Sequence, residues 1–516
     1  MTESMILSSI PKNTARRLGG KTALVYGDRR IPFAAFEDDS NRFANALVKL
    51  GVKTGDRVAM LQNSGPEFIV VFFGIMKAGA IAVPLDSRYV ADELASLFND
   101  CTPVLAVSEA ALTKPLLEAL PRSPSVKNII TVGEGADGQQ IRYEKLIKEN
   151  PSTPVKVKVA PEDIAIISYT GGPTFHPHGV ALTHQSLVTE VISSVETFEQ
   201  TEDDVFMLFA LPMYHQFGLT AVLLASFYTG NTVVGVPGTG RSIESFMETI
   251  EREKGTVYCG VPYIYSLMIN VAKRAGIKYN LSSLRLLASG GAPLEPIVIK
   301  QFKQYYGLDI RDIYGQTESI CHCTVMPIHG TGKIGSSGKT LSCWEMKIFD
   351  ANDNELPPGQ EGEIVLRGPL MHSFWNQPQK TAEILRNGWL HTGDVGYIDE
   401  EGYLFITARS RRMIVLKGQN VFPSDIEAVI QTHPAVAEVK VGGVIDLTRG
   451  ETISAYVKLK PGAAVTEHDL RQYCQGKMAD YKLPRDIEFV DVMPDVLPLW
   501  RRRQYTDADA KLASLD

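Results

Sequence analysis

Cysteine is scarce in this chain, and so are long apolar runs and blocks of one charge. The six cysteines among 516 residues (Cys101, Cys259, Cys321, Cys323, Cys343 and Cys474) are irregularly spaced. They form no disulfide framework, and a reducing, cytoplasmic setting is expected. Cys321-His322-Cys323 is too tightly spaced for the usual zinc pairs, and no second pair follows it. The longest apolar run, Phe68 to Met76, is far short of a membrane span, so no transmembrane segment is expected, although peripheral contact stays open. Met1 to Arg17 has no apolar core of signal-peptide length. A net charge of -7 lacks the footprint of a nucleic-acid binder, and no nucleic-acid partner is expected. The one basic run, Arg501 to Arg503, reads as a solvated tail.

What is present is ordinary globular material, 44% hydrophobic and 22% charged, in a chain too long for one core. Strand-like and helix-like stretches alternate from Ala23 onward. Ser40 to Leu50 reads as an amphipathic helix, Arg57 to Leu61 as a strand, Pro66 to Ala78 as a buried helix and Ala80 to Pro84 as a strand. Such alternation predicts α/β layering with largely parallel sheets. After Asp394 come a turn-rich acidic piece, a strand from Tyr403 to Thr407 and a basic connector, Ala408 to Arg412. Beyond it the pattern turns α+β, with a helix from Asp425 to His433 capped by Ser424 and Glu427. Strands follow at Glu438 to Gly443 and Glu451 to Leu459, then a helix opened by Thr466. A boundary near Arg412 divides the chain into residues 1–411 and 412–516.

Five segments carry chemistry. Ser168-Tyr-Thr-Gly-Gly-Pro-Thr-Phe-His-Pro-His-Gly179 follows the apolar strand Ile164 to Ile167. Small and hydroxyl residues after a strand let backbone N–H groups approach a polyphosphate closely. Alone, that loop is equally an ordinary turn. Ala288-Ser-Gly-Gly-Ala-Pro-Leu294 is a second glycine turn after a strand. Asp312-Ile-Tyr-Gly-Gln-Thr-Glu318 joins an aromatic face to a carboxylate, and Gly388-Trp-Leu-His-Thr-Gly-Asp394 ends on another. Leu211-Pro-Met-Tyr-His-Gln-Phe-Gly218 holds an aromatic and histidine cluster.

In order and spacing these segments, with Lys77-Ala-Gly-Ala-Ile-Ala-Val-Pro84, resemble the acyl-CoA synthetase, luciferase and peptide-synthetase adenylation family. The resemblance runs from about Ala23 to Arg503 and is nearest to the acyl-CoA synthetases. It implies an α/β protein with a large N-terminal domain of layered α/β subdomains and a small mobile α+β C-terminal domain. It also implies a two-step reaction in which a carboxylate attacks the α-phosphate of ATP and a thiol, usually coenzyme A, then takes the acyl group. The cofactors implied are ATP or AMP, Mg2+ and coenzyme A. The partner is a small carboxylic acid, fatty or aromatic, or an acyl-CoA, and a homodimer is allowed.

Residue by residue, the resemblance puts Tyr314 against adenine, Glu318 on Mg2+, and Asp394 on the ribose hydroxyls with Arg409 beside it. Asp312, Gly315 and Gln316 belong to the same nucleotide site, with Thr317 and Glu318 at the reacting phosphates. Gly290, Gly291 and Ala292 line the nucleotide and acyl pocket, and His215 stands at the acyl end. Thr170, Gly172, Thr174 and His178 fall in the phosphate loop. Lys417 and Gly418 fall where a glycine pair usually lets pantetheine pass. Cys259, Gly260, Val261 and Tyr263, before the stretch Ser266 to Val271, are expected in the acyl pocket.

The chain departs from the family where phosphate is handled. The family loop resembles Tyr-Thr-Ser-Gly-Thr-Thr-Gly-x-Pro-Lys-Gly. Here Gly171, Pro173, Phe175 and His178 stand at its third, fifth, seventh and tenth positions. Pro173 removes an N–H, Phe175 replaces a permissive glycine, and His178 replaces a permanent charge with one that titrates near neutrality. At the C-terminus, Leu499 and Trp500 stand at the family's glycine and catalytic lysine, with Arg501 one residue on. A basic residue, Arg412, occupies the hinge. The expectation is an acyl-CoA synthetase-like ligase impaired in adenylation. Two alternatives stay open: altered coenzyme A or acyl-adenylate chemistry without ATP activation, and a non-catalytic nucleotide or acyl binder.

Overall fold

The computed structural model describes residues 5–135, 140–170, 178–236, 242–330, 332–409, 414–416, 419–446 and 450–494. These described residues fall into two compact units, a larger one within 5–170 and 178–409 and a smaller one from 414 onward. Among the described residues, no helix is long and apolar enough to cross a membrane.

The apolar run at Phe68 forms the helix Pro66–Lys77, buried at every position from Phe68 on. A helix without a polar face needs cover on all sides. Its buried charge, Lys77, is partnered inside the core by Glu37 at 2.6 Å and Ser40 at 2.8 Å. It packs along the helix Phe33–Lys49, which starts seven residues before the expected Ser40. Phe33 and Phe36 extend that helix's apolar stripe. With Phe73 they surround the Phe227 ring at centroid distances of 5.3, 5.4 and 5.1 Å.

Among the described residues the larger unit holds three sheets. The first runs Lys339–Thr340, Thr324–Val325, Ile310–Tyr314, Leu286–Ser289, Val257–Gly260, Val205–Leu208, Thr232–Gly235, Thr22–Tyr26, Arg29–Pro32. Its strands from Ile310–Tyr314 to Thr22–Tyr26 are parallel. The second sheet is parallel from Ile164–Thr170 to Ile141–Arg142, with antiparallel His178–Thr183 and Ser373–Phe374 at its other edge. Strands buried on both faces read as continuous apolar runs, as Ile81–Pro84 and Leu286–Ser289 do. The third sheet is antiparallel and contains Trp389–Ile398 paired with Leu404–Arg409.

The smaller unit pairs Val436–Asp446 with Gly450–Leu459, adds Asp486–Phe489 in parallel, and covers them with Pro423–Gln431 and Glu467–Cys474. Thr466 caps the second helix as expected, accepting from the Asp469 N–H at 3.2 Å. The first helix corrects the expectation. It begins at Pro423, and Ser424 is no cap. Proline presets φ at the first helical position and has no N–H to satisfy. Glu427 turns away from the helix start and accepts from the Val441 N–H at 2.8 Å, tying helix to sheet.

Candidate functional site

The C-terminal end of the strand Ile310–Tyr314 builds the site. Gly315 follows it, and a Cβ there would lie 2.1 Å from the Cys321 carbonyl oxygen, so the backbone crossing admits only glycine. Gln316 then caps a short turn, Thr317–Ser319, through the Ser319 hydroxyl at 2.9 Å. Ile320 carries φ 65° and ψ -63°, and the Cys321 N–H reaches the Ser319 carbonyl at 2.7 Å. This is a γ-turn on a β-branched residue, a conformation that costs about 1–3 kcal/mol. Nothing in the sequence signals it.

Asp394 closes the site from the strand Trp389–Ile398. The Tyr314 hydroxyl donates to its Oδ2 at 2.7 Å, and the Gln316 amide donates to the same oxygen at 2.9 Å. That amide also donates to the Thr392 carbonyl at 3.1 Å. The Asp394 N–H donates to Thr392 Oγ1 at 3.1 Å, which holds the main chain beneath the carboxylate. Tyr314 is 4% exposed and Asp394 5% exposed. Burial, reinforced by the Asp394 charge, pushes the Tyr314 phenol well above its ordinary pKa and keeps it a donor. Among the described residues no hydrogen bond is drawn to Asp394 Oδ1, which leaves an acceptor oxygen for a ligand hydroxyl. Tyr314 is set deep, and its bond to Asp394 is the interaction that fixes it.

Glu318 is 4% exposed, and its carbonyl accepts from the Met371 N–H at 3.0 Å. From Met371 the chain runs onto the second sheet: the His372 N–H meets the Ala181 carbonyl at 2.8 Å, and Phe374 pairs with Val180. Residues 371–375 therefore stitch the Glu318 turn to the strand His178–Thr183. Thr170 ends the neighbouring strand and pairs in register with His178. Asp312 accepts from the Ser337 hydroxyl at 3.1 Å. Gly290 donates to the Gly260 carbonyl at 3.1 Å, and Gly291 turns at φ 78°. Ala292 is half-buried beside it. Arg409 pairs in backbone register with Asp394. Gly172, Thr174, Lys417 and Gly418 lie outside the described residues, as do Pro173, Phe175, Arg412, Leu499, Trp500 and Arg501.

His215 sits in the loop after Val205–Leu208, where its Nδ1 accepts from the Phe217 N–H at 3.3 Å. Burial lowers its pKa, so it is a neutral imidazole. Tyr214 is held by Asp86 at 3.1 Å. The following turn, Phe217–Leu224, is a π-helix, a feature frequent at functional sites and invisible in the apolar sequence.

A buried group the motif reading missed lies behind the Tyr314–Glu318 turn. Glu190, on the helix His184–Thr197, accepts from the Trp344 indole at 2.8 Å and the His322 N–H at 3.3 Å. The His322 ring bonds Ser194 at 2.9 Å and stacks on Phe198. Burial pushes Glu190 up to about 8 and His322 down to about 4, so their 3.6 Å approach joins two neutral groups at pH 7. The same cause pushes the Cys321 and Cys323 thiols far up, which leaves them protonated and weak metal ligands.

These groups predict a pH profile of stability. His322 and His184 both fall to about 4 from 6.5 on folding, so each withdraws stability as pH drops from 6.5 towards 4. Glu190 rises to about 8 from 4.5, so it withdraws stability as pH rises between those values. For this set stability peaks near pH 6.5 and falls on either side by up to about 1.4 kcal/mol per pH unit. Melting temperatures across pH 5 to 8.5 should show both limbs, and Glu190→Gln should flatten the alkaline one. An unchanged alkaline limb would assign it to other groups.

Comparison with known proteins agrees with this layout. Residues 11–375 match the family described as AMP-binding enzyme, and residues 425–496 match the AMP-binding enzyme C-terminal domain. The long-chain-fatty-acid–CoA ligase of Escherichia coli O6:H1 is 31% identical, across 97% of this chain and 94% of that protein. The indoleacetate–CoA ligase of Aromatoleum aromaticum is 30% identical, across 92% of each. A crystal structure of an anthranilate CoA ligase in complex with anthranoyl-AMP superposes with a TM-score of 0.75 at 29% identity, covering 95% of this chain and 94% of that one.

Proposed function

The chain belongs to the AMP-binding enzyme family, and from that premise we propose that it is an acid–thiol ligase. On this reading it joins a fatty or aromatic carboxylic acid to coenzyme A through an acyl-AMP intermediate, and its adenylation step is weakened. The observation that carries the reading is the Tyr314–Gln316–Asp394 network, a preformed seat for a nucleoside beside the Glu318 turn.

In the first step a carboxylate oxygen of the acid bonds to the α-phosphorus and the bond to pyrophosphate breaks. In the second a thiolate attacks the acyl carbonyl and AMP leaves. Asp394 Oδ1 accepts from a ribose hydroxyl, and Tyr314 and Gln316 hold that carboxylate still. Glu318, with Thr317 beside it, suits Mg2+, which takes one or two protein carboxylates and completes its shell with water and phosphate oxygens. The ion, when bound, neutralises phosphate charge. Gly290, Gly291 and Ala292 give the acyl phosphate a close backbone approach, and His215 faces the acid as a neutral group. Arg409 is assigned to the ribose side, and Lys417 and Gly418 to the pantetheine path, in a C-terminal domain running 412–516.

The weakness is assigned to Pro173, Phe175, His178 and Trp500, which replace donors and charge that would act on the phosphates. Those same replacements favour the second reading, coenzyme A or acyl-adenylate chemistry without ATP activation. Exchange of pyrophosphate into ATP, stimulated by members of an acid panel, separates the two. Glu318→Gln is expected to remove most of the Mg2+ dependence of nucleotide binding, about tenfold in affinity, in a protein that still folds. Identical Mg-ATP melting shifts in the two proteins would remove Glu318 from the metal.

A further inference from the structure

The position that should carry the loop's positive charge holds His178, and a lysine from elsewhere in the chain reaches it. Lys380, on the helix Pro378–Ile384, places its Nζ in hydrogen-bond contact with His178 Nε2. On the other side of the ring, His178 Nδ1 lies 2.9 Å from Gln377 Oε1. An amide oxygen only accepts, so Nδ1 carries the proton. An ammonium only donates, so Nε2 is bare and accepting. Both contacts require a neutral imidazole, and the formal charge of the pair resides on Lys380.

The placement is fixed from several directions. Lys380 Nζ lies 5.2 Å from the centroid of the Phe374 ring, a cation–π contact. Phe374 is locked to Val180 in the sheet, and its N–H donates to Thr381 Oγ1 at 2.9 Å, which ties the Lys380 helix to the strand. The Trp375 N–H donates to the Gly179 carbonyl at 2.6 Å, one residue from His178. Both Lys380 and His178 are only half-buried. The ammonium thus stands at the first residue of the strand His178–Thr183, beside the segment that leads to Glu318.

We propose that Lys380 supplies the phosphate-binding cation that position 178 lacks, holding the terminal phosphates of a nucleoside triphosphate with His178 as its neutral support. This rests on the nucleotide-binding half of the reading above and not on its acid or thiol chemistry. An ammonium is a compact charge on a flexible stem that serves phosphate as a point charge. A lysine arriving from a helix outside the loop replaces the lost charge without requiring the loop's own sequence.

Calorimetry on the full chain with Mg-ATP and with AMP tests it. Lys380→Met should weaken Mg-ATP about tenfold or more while AMP stays within about twofold, because AMP lacks the terminal phosphates. Lys380→Gln should do the same, and melting curves establish that each variant is folded. Moving the charge back, in the double variant His178→Lys with Lys380→Met, should restore Mg-ATP affinity to within about threefold of the original. Equal losses for ATP and AMP, no loss in either single variant, or no rescue in the double variant would overturn the proposal. If the ATP–AMP split and the rescue hold but no acid stimulates pyrophosphate exchange, this assignment stands and the ligase reading falls.

Discussion

Asp394→Ala is expected to lower the affinity for AMP and ATP alike by about 10- to 100-fold, since a charged hydrogen bond contributes about 1.5–3 kcal/mol. It is also expected to lower the melting temperature. The Tyr314 hydroxyl and the Gln316 amide both donate to Asp394 Oδ2, and both are buried or nearly so. Without that oxygen the phenol has no acceptor of comparable quality, and an unsatisfied buried donor costs about 1–3 kcal/mol. Asp394→Asn separates the two effects. Its amide oxygen can still accept from Tyr314, so most of the melting temperature should return, while the charged acceptor for ribose does not. Unchanged AMP affinity in the alanine variant would remove Asp394 from the nucleotide site.

The second large effect is a gain. Trp500→Lys, with Leu499→Gly to admit it, should raise acyl-AMP formation, and Pro173→Thr with Phe175→Gly should raise it further. Together they should supply about 2–4 kcal/mol of transition-state stabilisation, about 10²- to 10³-fold in rate, if preorganised charge is what is missing. The two sets act on the same phosphates, so their effects should be non-additive. His178→Lys should add least of all when Lys380 is intact, because it sets a second ammonium against the first. Thioester formation from supplied acyl-AMP should change little, since no triphosphate is present in that step. Equal acceleration of both steps would point to repaired folding and away from repaired phosphate contacts.

Much of the scaffold was legible because its signals are local. Pro66–Lys77 contains the apolar run Phe68 to Met76 and opens on a proline, and Thr466 with Asp469 forms a capping pair readable from spacing. The family resemblance in order and spacing singled out Tyr314, Gln316 and Asp394 as candidates. Their mutual bond was not legible, because it depends on strands of two different sheets, 80 residues apart, bringing these side chains together. Ser424 misled because a proline one residue earlier already sets the helix start. Glu190 carries no motif, since it looks like any other helical glutamate until the indole of Trp344 is brought to it. Lys380 was overlooked for the same reason: it lies 202 residues from His178, and only the pairing of Phe374 with Val180 brings them together.

The proposed ligase still seats the nucleotide but activates acids poorly. ATP–pyrophosphate exchange, measured with and without a panel of fatty and aromatic acids, addresses it most directly, first on the natural chain and then on the chain restored at 173, 175, 499 and 500. The expected result is a slow, acid-dependent exchange that rises by about 10²- to 10³-fold on restoration. A restored protein that binds Mg-ATP yet exchanges no pyrophosphate with any acid in the panel would contradict it.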